Sequence, residues 1–166
     1  LLAGLGRTRP GDFSISSPPV IVGDRIILGG RIPDNMRVDV PAGVIRAFDV
    51  HTGALAWAWN SAPPGMEPEP GEPYVRGTPN AWAPLAVDSE RKLVFVPTGN
   101  PATDHTNIIR GEKDHYAASI VALDATTGQL RWHFQTVHKD HWDYDIPSQP
   151  VLFPLLAEVL TADGQP

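Results

Sequence analysis

Apolar positions along the chain fall in short runs, each closed by glycine, proline, asparagine or aspartate. In VIVGDRIILGG, from Val20 to Gly30, two β-branched stretches flank Gly23-Asp24. This is a two-residue hairpin signal, because glycine reaches the backbone angles such turns require. LAVDSERKLVFVPTG, from Leu85 to Gly99, repeats the design with a longer polar turn. Further strands are predicted at Val44 to Phe48 and at Ser119 to Leu123. The 18 prolines and 15 glycines leave no room for long helices, since proline inside a helix costs ~3 kcal/mol. The pattern is that of an all-β chain.

An internal repeat refines it. FDVHTGALAW, from Phe48 to Trp57, returns as LDATTGQLRW from Leu123 to Trp132, with Asp, Thr-Gly and Trp at the same spacing. In each copy an apolar strand enters a turn that the aspartate can close through backbone N–H groups and the glycine can complete at positive φ. The next strand then delivers the tryptophan. A repeated four-strand unit with a turn motif and an aromatic predicts a β-propeller, whose blades cannot bury their faces alone. One blade is expected from about Pro19 to Asn60, a second from about Ala83 to Phe134, and a third beginning at Pro147. Trp57, Trp132, Asp49 and Asp124 are therefore read as packing and turn residues. Two long connections, SAPPGMEPEPGEPYVRGTPN and PATDHTNIIRGEKDHY, exceed the ~12–15 residues of an ordinary loop and are expected to line one face of the wheel.

Composition removes several function classes. The 166 residues carry 13 basic and 19 acidic side chains, a formal charge of −6. No basic stripe is available to neutralise a phosphate backbone, so nucleic acid is not an expected partner. The absence of cysteine removes disulfides, thiolate zinc sites and cysteine nucleophiles. No run approaches the ~20 apolar residues that span a bilayer, and no signal-peptide pattern is present. The opening LLAGLGRTRPGDF and closing LTADGQP suggest a piece of a longer protein, with any targeting or membrane segment expected upstream of Leu1.

Residues the repeat does not require are the candidates for chemistry: Ser16 in SISSPPVI, Asp34-Asn35 in RIPDNMR, Trp82 in TPNAWAP, Asn100 in VPTGNPA, and Asp143 with Asp145 in HWDYDIP. Carboxylate and amide oxygens are hard ligands suited to Ca²⁺ or Mg²⁺. An aspartate beside a cation stays ionised and can take a proton from a polarised hydroxyl. Trp82 offers a flat face to a planar cofactor. Taken singly, Asp34-Asn35 and Asn100 also read as turn formers and Trp82 as a core residue. His138 and His141 lack a third ligand of clear spacing for zinc, and no Gly-x-Ser-x-Gly elbow is present.

Together these stretches resemble the pyrroloquinoline quinone (PQQ) dependent dehydrogenases, and among them the membrane-bound glucose/quinate/shikimate group. The resemblance runs from SSPPVI through GVIRAFDVHTGALAWAW and TPNAWAP to TVHKDHWDYDIPSQP. It implies about two four-stranded blades of an eight-bladed quinoprotein propeller. It also implies that Asp143 is the catalytic base, taking the hydroxyl proton as hydride passes to PQQ, and that Trp82 floors the PQQ ring. Ser16 falls where a hydroxyl touches the cofactor, and Asp34, Asn35, Asn100 and Asp143 where Ca²⁺ (or Mg²⁺) is held. Asp145 resembles an acid that in some relatives adds a metal ligand. Trp142 and Pro147 are expected to hold the loop around the base.

The implied activity is oxidation of a sugar, polyol or cyclic hydroxy acid, with electrons passed to ubiquinone. The catalytic domain would face the periplasm at the bacterial inner membrane, anchored by segments outside this chain. The alternative is a non-catalytic propeller of the same repeat, acting as a binding scaffold. Two blades alone are expected neither to turn over substrate nor to hold PQQ tightly.

Overall fold

The computed structural model describes residues 4–106 and 108–154. Eight strands form two four-stranded antiparallel sheets. The first holds β1 (Val20–Val22), β2 (Arg25–Leu28), β3 (Val44–Asp49) and β4 (Leu55–Asn60) in sequence order. The second holds β5 (Ala86–Asp88), β6 (Leu93–Pro97), β7 (Ser119–Asp124) and β8 (Leu130–Gln135), again in order. The only described helical element is a 3-10 turn, Gly111–Tyr116. Among the described residues, no helix is long and apolar enough to cross a membrane. The chain is thus all-β, two meander sheets of the blade type. Residues 146–154 carry no strand, and 155–166 of the expected third blade lie outside the described residues.

The hairpin at Gly23-Asp24 pairs Val22 with Arg25, and Gly23 has φ +53°. The two copies of the repeat fold alike. Asp49 Oδ1 accepts from the backbone N–H groups of His51 and Thr52 at 3.1 and 3.0 Å. Asp124 Oδ1 accepts from those of Thr126 and Thr127, both at 2.9 Å. The Gly53 and Gly128 N–H groups donate back to the carbonyls of Asp49 and Asp124, each at 2.8 Å. Both β3–β4 and β7–β8 slip register at the same point, after Ala47 and after Ala122.

The main core lies between the sheets. Ile27, Ile45, Ala47 and Trp57 from the first meet Leu85, Val94, Val96, Val121 and Leu123 from the second. At ~25 cal/mol per Å² this apolar burial is the dominant stabilising term. Trp57 crosses the gap, its Nε1–H donating to the Ala125 carbonyl at 3.0 Å. The outward face of β8 leaves Trp132 and Phe134 largely exposed.

Antiparallel order places connections at alternate ends. The β3–β4 and β7–β8 turns, with their aspartates, share one end. The β2–β3 and β6–β7 connections, together with the segments leaving β4 and β8, share the other. Every candidate residue lies at that second end or on the segment entering β1.

Candidate active site

At this loop end a cavity of about 240 Å³ is lined by Arg31, Asp34, Asn35, Trp82, Asp104, Asp143 and Asp145. Asp34 and Asn35 come from the β2–β3 connection, Trp82 from the segment after β4, Asp104 from the β6–β7 connection and the last two aspartates from beyond β8. Four of the expected site residues, Asp34, Asn35, Trp82 and Asp143, therefore share one space. A cleft of about 890 Å³ lies elsewhere, between Pro63-Pro64 and Asp114, His115, His138 and Lys139. It contains none of the candidates.

Ser16 and Asn100 adjoin this cavity without lining it. The Ser16 hydroxyl donates to the Trp82 backbone carbonyl at 2.8 Å, behind the indole. Asn100 is fully buried. Its Nδ2 donates to Asp140 Oδ2 at 2.6 Å and its Oδ1 accepts from Arg110 Nη1 at 3.2 Å. Its backbone N–H, rather than its amide, faces the site, donating to Asp145 Oδ1 at 2.7 Å.

The loop that presents Asp143 is held by Asp140, not by Trp142 as expected. Trp142 is 73 % exposed, whereas Asp140 is 1 % exposed. Asp140 Oδ1 accepts from the Trp142 N–H at 2.8 Å, and Oδ2 from the Tyr144 N–H at 2.5 Å as well as from Asn100. Arg110, itself buried, donates to the Asp140 carbonyl oxygen and pairs with Asp114 at 3.2 Å. With its ends so fixed, the loop holds Asp143 at φ +62°, a region where non-glycine residues are uncommon and asparagine and aspartate are enriched. Residues kept there by their surroundings cluster at functional sites.

Electrostatically the cavity is a concentration of negative charge. Burial and the neighbouring Asp104 push the Asp34 carboxyl up to about 6, against the hydrogen bond it accepts from Asn80 Nδ2. Asp104 is likewise raised, by burial and then by Asp143. Asp145 is pushed up to about 7, chiefly by burial with the Asp143 charge adding to it, despite the bonds from Trp82 and Asn100. Like charges in one low-dielectric space disfavour joint ionisation, and a bound cation reverses that penalty.

The donor set fits such a cation. Asp104, 3 % exposed, and Asp143 each bury an Oδ1 with no hydrogen-bond partner. One ligand atom from each of Asp104, His105 and Asp143 lies within 4.8 Å of the others. Two buried carboxylate oxygens that accept no hydrogen bond are costly without a counter-charge; His105 Nε2 stands 3.5 Å from that of Asp104, and the carboxylate oxygens of this set suit Ca²⁺ or Mg²⁺.

Sequence reading missed Asp104, Asn80, Arg31 and Asp140. The long loop after Gly99 was marked as functional by its length, but nothing in its composition singles out Asp104. Asn80 lies in TPNAWAP two residues before Trp82, and Asp140 immediately before His141-Trp142, so each sits beside an aromatic that is the stronger local signal.

Two four-stranded meander sheets packed face to face, with carboxylates and an indole converging at their loop end, are the architecture of propeller blades that carry a site. Residues 1–162 match the PQQ glucose/ethanol/alcohol dehydrogenase β-propeller domain, and the chain belongs to that family. Similar proteins include the glycerol dehydrogenase large subunit of Gluconobacter oxydans (strain 621H), 42 % identical across 100 % of this chain and 22 % of its own length. The quinate/shikimate dehydrogenase (quinone) of Acinetobacter baylyi is 44 % identical over 92 % of this chain and 20 % of its own. Among solved structures, the quinohemoprotein alcohol dehydrogenase of Comamonas testosteroni superposes with a TM-score of 0.70 at 28 % identity, covering 92 % of this chain and 24 % of that one. The chain thus spans about a fifth of the length of the curated relatives it matches.

Proposed function

We propose that this chain supplies part of the active site of a PQQ-dependent dehydrogenase that oxidises the CH–OH group of a sugar, polyol or cyclic hydroxy acid. The observation that carries the reading is the single cavity in which Asp34, Asn35, Trp82, Asp104 and Asp143 meet from four separate segments. A scaffold propeller has no use for buried carboxylate oxygens left without partners.

Asp34, Asn35, Asp104 and Asp143 would hold Ca²⁺ or Mg²⁺. Asn100 would serve this set from behind, fixing Asp140 and Asp145. Trp82 would provide the flat floor for PQQ, with Ser16 bracing its backbone. Bound PQQ supplies the two-electron, hydride-accepting chemistry, and the cation supplies polarising charge. Asp143 does the protein's part: its carboxylate would accept the substrate hydroxyl proton. The segments outside this chain would complete the wheel, anchor it at the periplasmic face of the inner membrane and pass electrons to ubiquinone.

The test is the full-length protein reconstituted with PQQ and Ca²⁺ and offered glucose, quinate, shikimate and glycerol with a quinone acceptor. Asp143→Asn is expected to lower turnover by about 10²- to 10⁴-fold, the range of a general base, with PQQ still bound. Unchanged turnover would overturn the assignment.

A further inference from the structure

Asp145 differs from its acidic neighbours in one respect. The buried Oδ1 atoms of Asp104 and Asp143 accept no hydrogen bond, and Asp104 Oδ1 has only His105 Nε2 at 3.5 Å, but both oxygens of Asp145 are engaged by the protein. Oδ2 accepts from Trp82 Nε1 at 2.5 Å, and Oδ1 accepts from the Asn100 backbone N–H at 2.7 Å. The backbone makes room for this arrangement at Gly99, where a Cβ would stand 2.7 and 2.8 Å from the two carboxylate oxygens. Any side chain at 99 would push the carboxylate away from the indole.

An indole has one polar handle, and its ring can be turned about χ2 unless that N–H is held. In Trp82 the backbone is braced by the Ser16 hydroxyl at one end and the ring by the hydrogen bond to Asp145 Oδ2 at the other. Asn100 links this clamp to the Asp140 network that presents Asp143. The tilt of the ring and the position of the base are therefore set by one connected framework.

We propose that Asp145 is the positioning residue of Trp82: it holds the indole at a fixed tilt, so that the ring is preorganised as a platform before any ligand arrives. The role in PQQ binding rests on the function proposed above; the clamp itself does not. Asparagine cannot replace the carboxylate, because its NH₂ would face one of the two N–H donors in either orientation.

The full-length protein provides the test, as Asp145→Asn, Trp82→Phe and the double variant. In cofactor-free protein with Ca²⁺ chelated, the near-UV circular dichroism band lost in Trp82→Phe isolates the indole. Asp145→Asn is expected to remove most of that band while far-UV spectra stay unchanged. By equilibrium dialysis, PQQ binding should weaken about tenfold in the native background, the scale of one hydrogen bond to a charged group, and hardly at all in the Trp82→Phe background. A native band that disappears on chelation, an Asp145→Asn band as strong as the native one in chelated protein, or an equal loss of PQQ affinity in both backgrounds would overturn the proposal, since Asp145 would then act through the cation or not on the indole at all. If the native protein binds no PQQ, the functional reading fails while the band still decides the clamp. Gly99→Ala, which displaces the carboxylate without removing it, is expected to give the same spectral loss and covers the case in which Asp145→Asn does not fold.

Discussion

Trp57 of the first sheet packs against Gly128 in the turn of the second: a Cβ at Gly128 would stand 2.6 Å from two atoms of the indole. The same ring donates to Ala125, three residues before that glycine. The repeat is therefore an inter-blade contact as well as a turn, with the tryptophan of one blade seated on the Asp-x-x-x-Gly turn of the next. Trp132, its counterpart, is 47 % exposed.

This seating predicts unequal costs for the same substitution in the two turns. Gly53 and Gly128 have nearly equal φ, +69° and +75°, but nothing stands within 4 Å of a Cβ at Gly53. Gly53→Ala should cost only the left-handed backbone penalty, about 1–2 kcal/mol. Gly128→Ala adds overpacking against Trp57, about 1–3 kcal/mol more. Thermal melts of the full-length variants should therefore give a clearly lower midpoint for Gly128→Ala; equal midpoints would show that the indole is not seated there.

Asp140 gives a second prediction. It does not line the cavity, yet its carboxylate accepts from Trp142, Tyr144 and Asn100 and so fixes the loop on both sides of Asp143. Asp140→Ala should release that loop, and a misplacement on the order of 1 Å costs roughly 10²-fold in rate. Steady-state turnover should fall to that extent with the sheets intact by far-UV circular dichroism, and limited proteolysis should gain a cut near residues 138–146.

The contrast between these two predictions shows what the sequence made legible. Strands, turns and blade order follow from local signals: β-branched runs, Gly-Asp, and an Asp-to-Gly turn that appears twice. Both long connections were recognisable by length, and Asp34, Asn35, Trp82 and Asp143 by residue type and motif. Side-chain direction inside those connections was not. Asn100 reads as an open amide in VPTGN, but its partners, Asp140 and Arg110, lie up to 40 positions away. Trp142, a large apolar residue, was expected inside its loop. It stands in solvent because Asp140 uses its backbone N–H to close the turn. Loop interiors are set by polar pairings between remote segments, which leave no periodic trace.

Asp12 sets a pH dependence away from the site. Burial alone would raise its carboxyl, but Arg37 bonded to Oδ1 and the Arg9 backbone N–H on Oδ2 at 2.7 Å outweigh that and hold it below the ordinary 3.8. A carboxyl depressed on folding stabilises the native state fully above its unfolded pKa, and that contribution is lost as pH falls through the folded value. Wild type should therefore exceed Asp12→Asn in thermal midpoint at pH 6. The gap should close on acidification below about pH 4. A gap that stays constant down to pH 2.5 would exclude the ion pair as its source.

The proposed cation site yields the last prediction, and Asp104 is where it is sharpest. Asp34 already has a protein partner, Asn80, and Asp145 has two. Asp104 and Asp143 keep buried oxygens that accept no hydrogen bond, with only the exposed His105 ring 3.5 Å from that of Asp104. Calcium affinity follows the number of anionic ligands, so losing one of two unpartnered carboxylates should weaken Ca²⁺ binding more than losing one that the protein already occupies. Asp104→Asn preserves volume and one acceptor oxygen while removing the charge. Calorimetric titration of the cofactor-free full-length protein should show Ca²⁺ affinity reduced at least about tenfold, equal to ~1.4 kcal/mol. Without metal, the same substitution relieves repulsion from Asp143 and Asp34, so the thermal midpoint of the metal-free variant should equal or exceed that of wild type. Opposite signs with and without Ca²⁺ mark a carboxylate kept for a ligand rather than for the fold. A fall in both conditions would make Asp104 a structural residue and remove it from the ligand set.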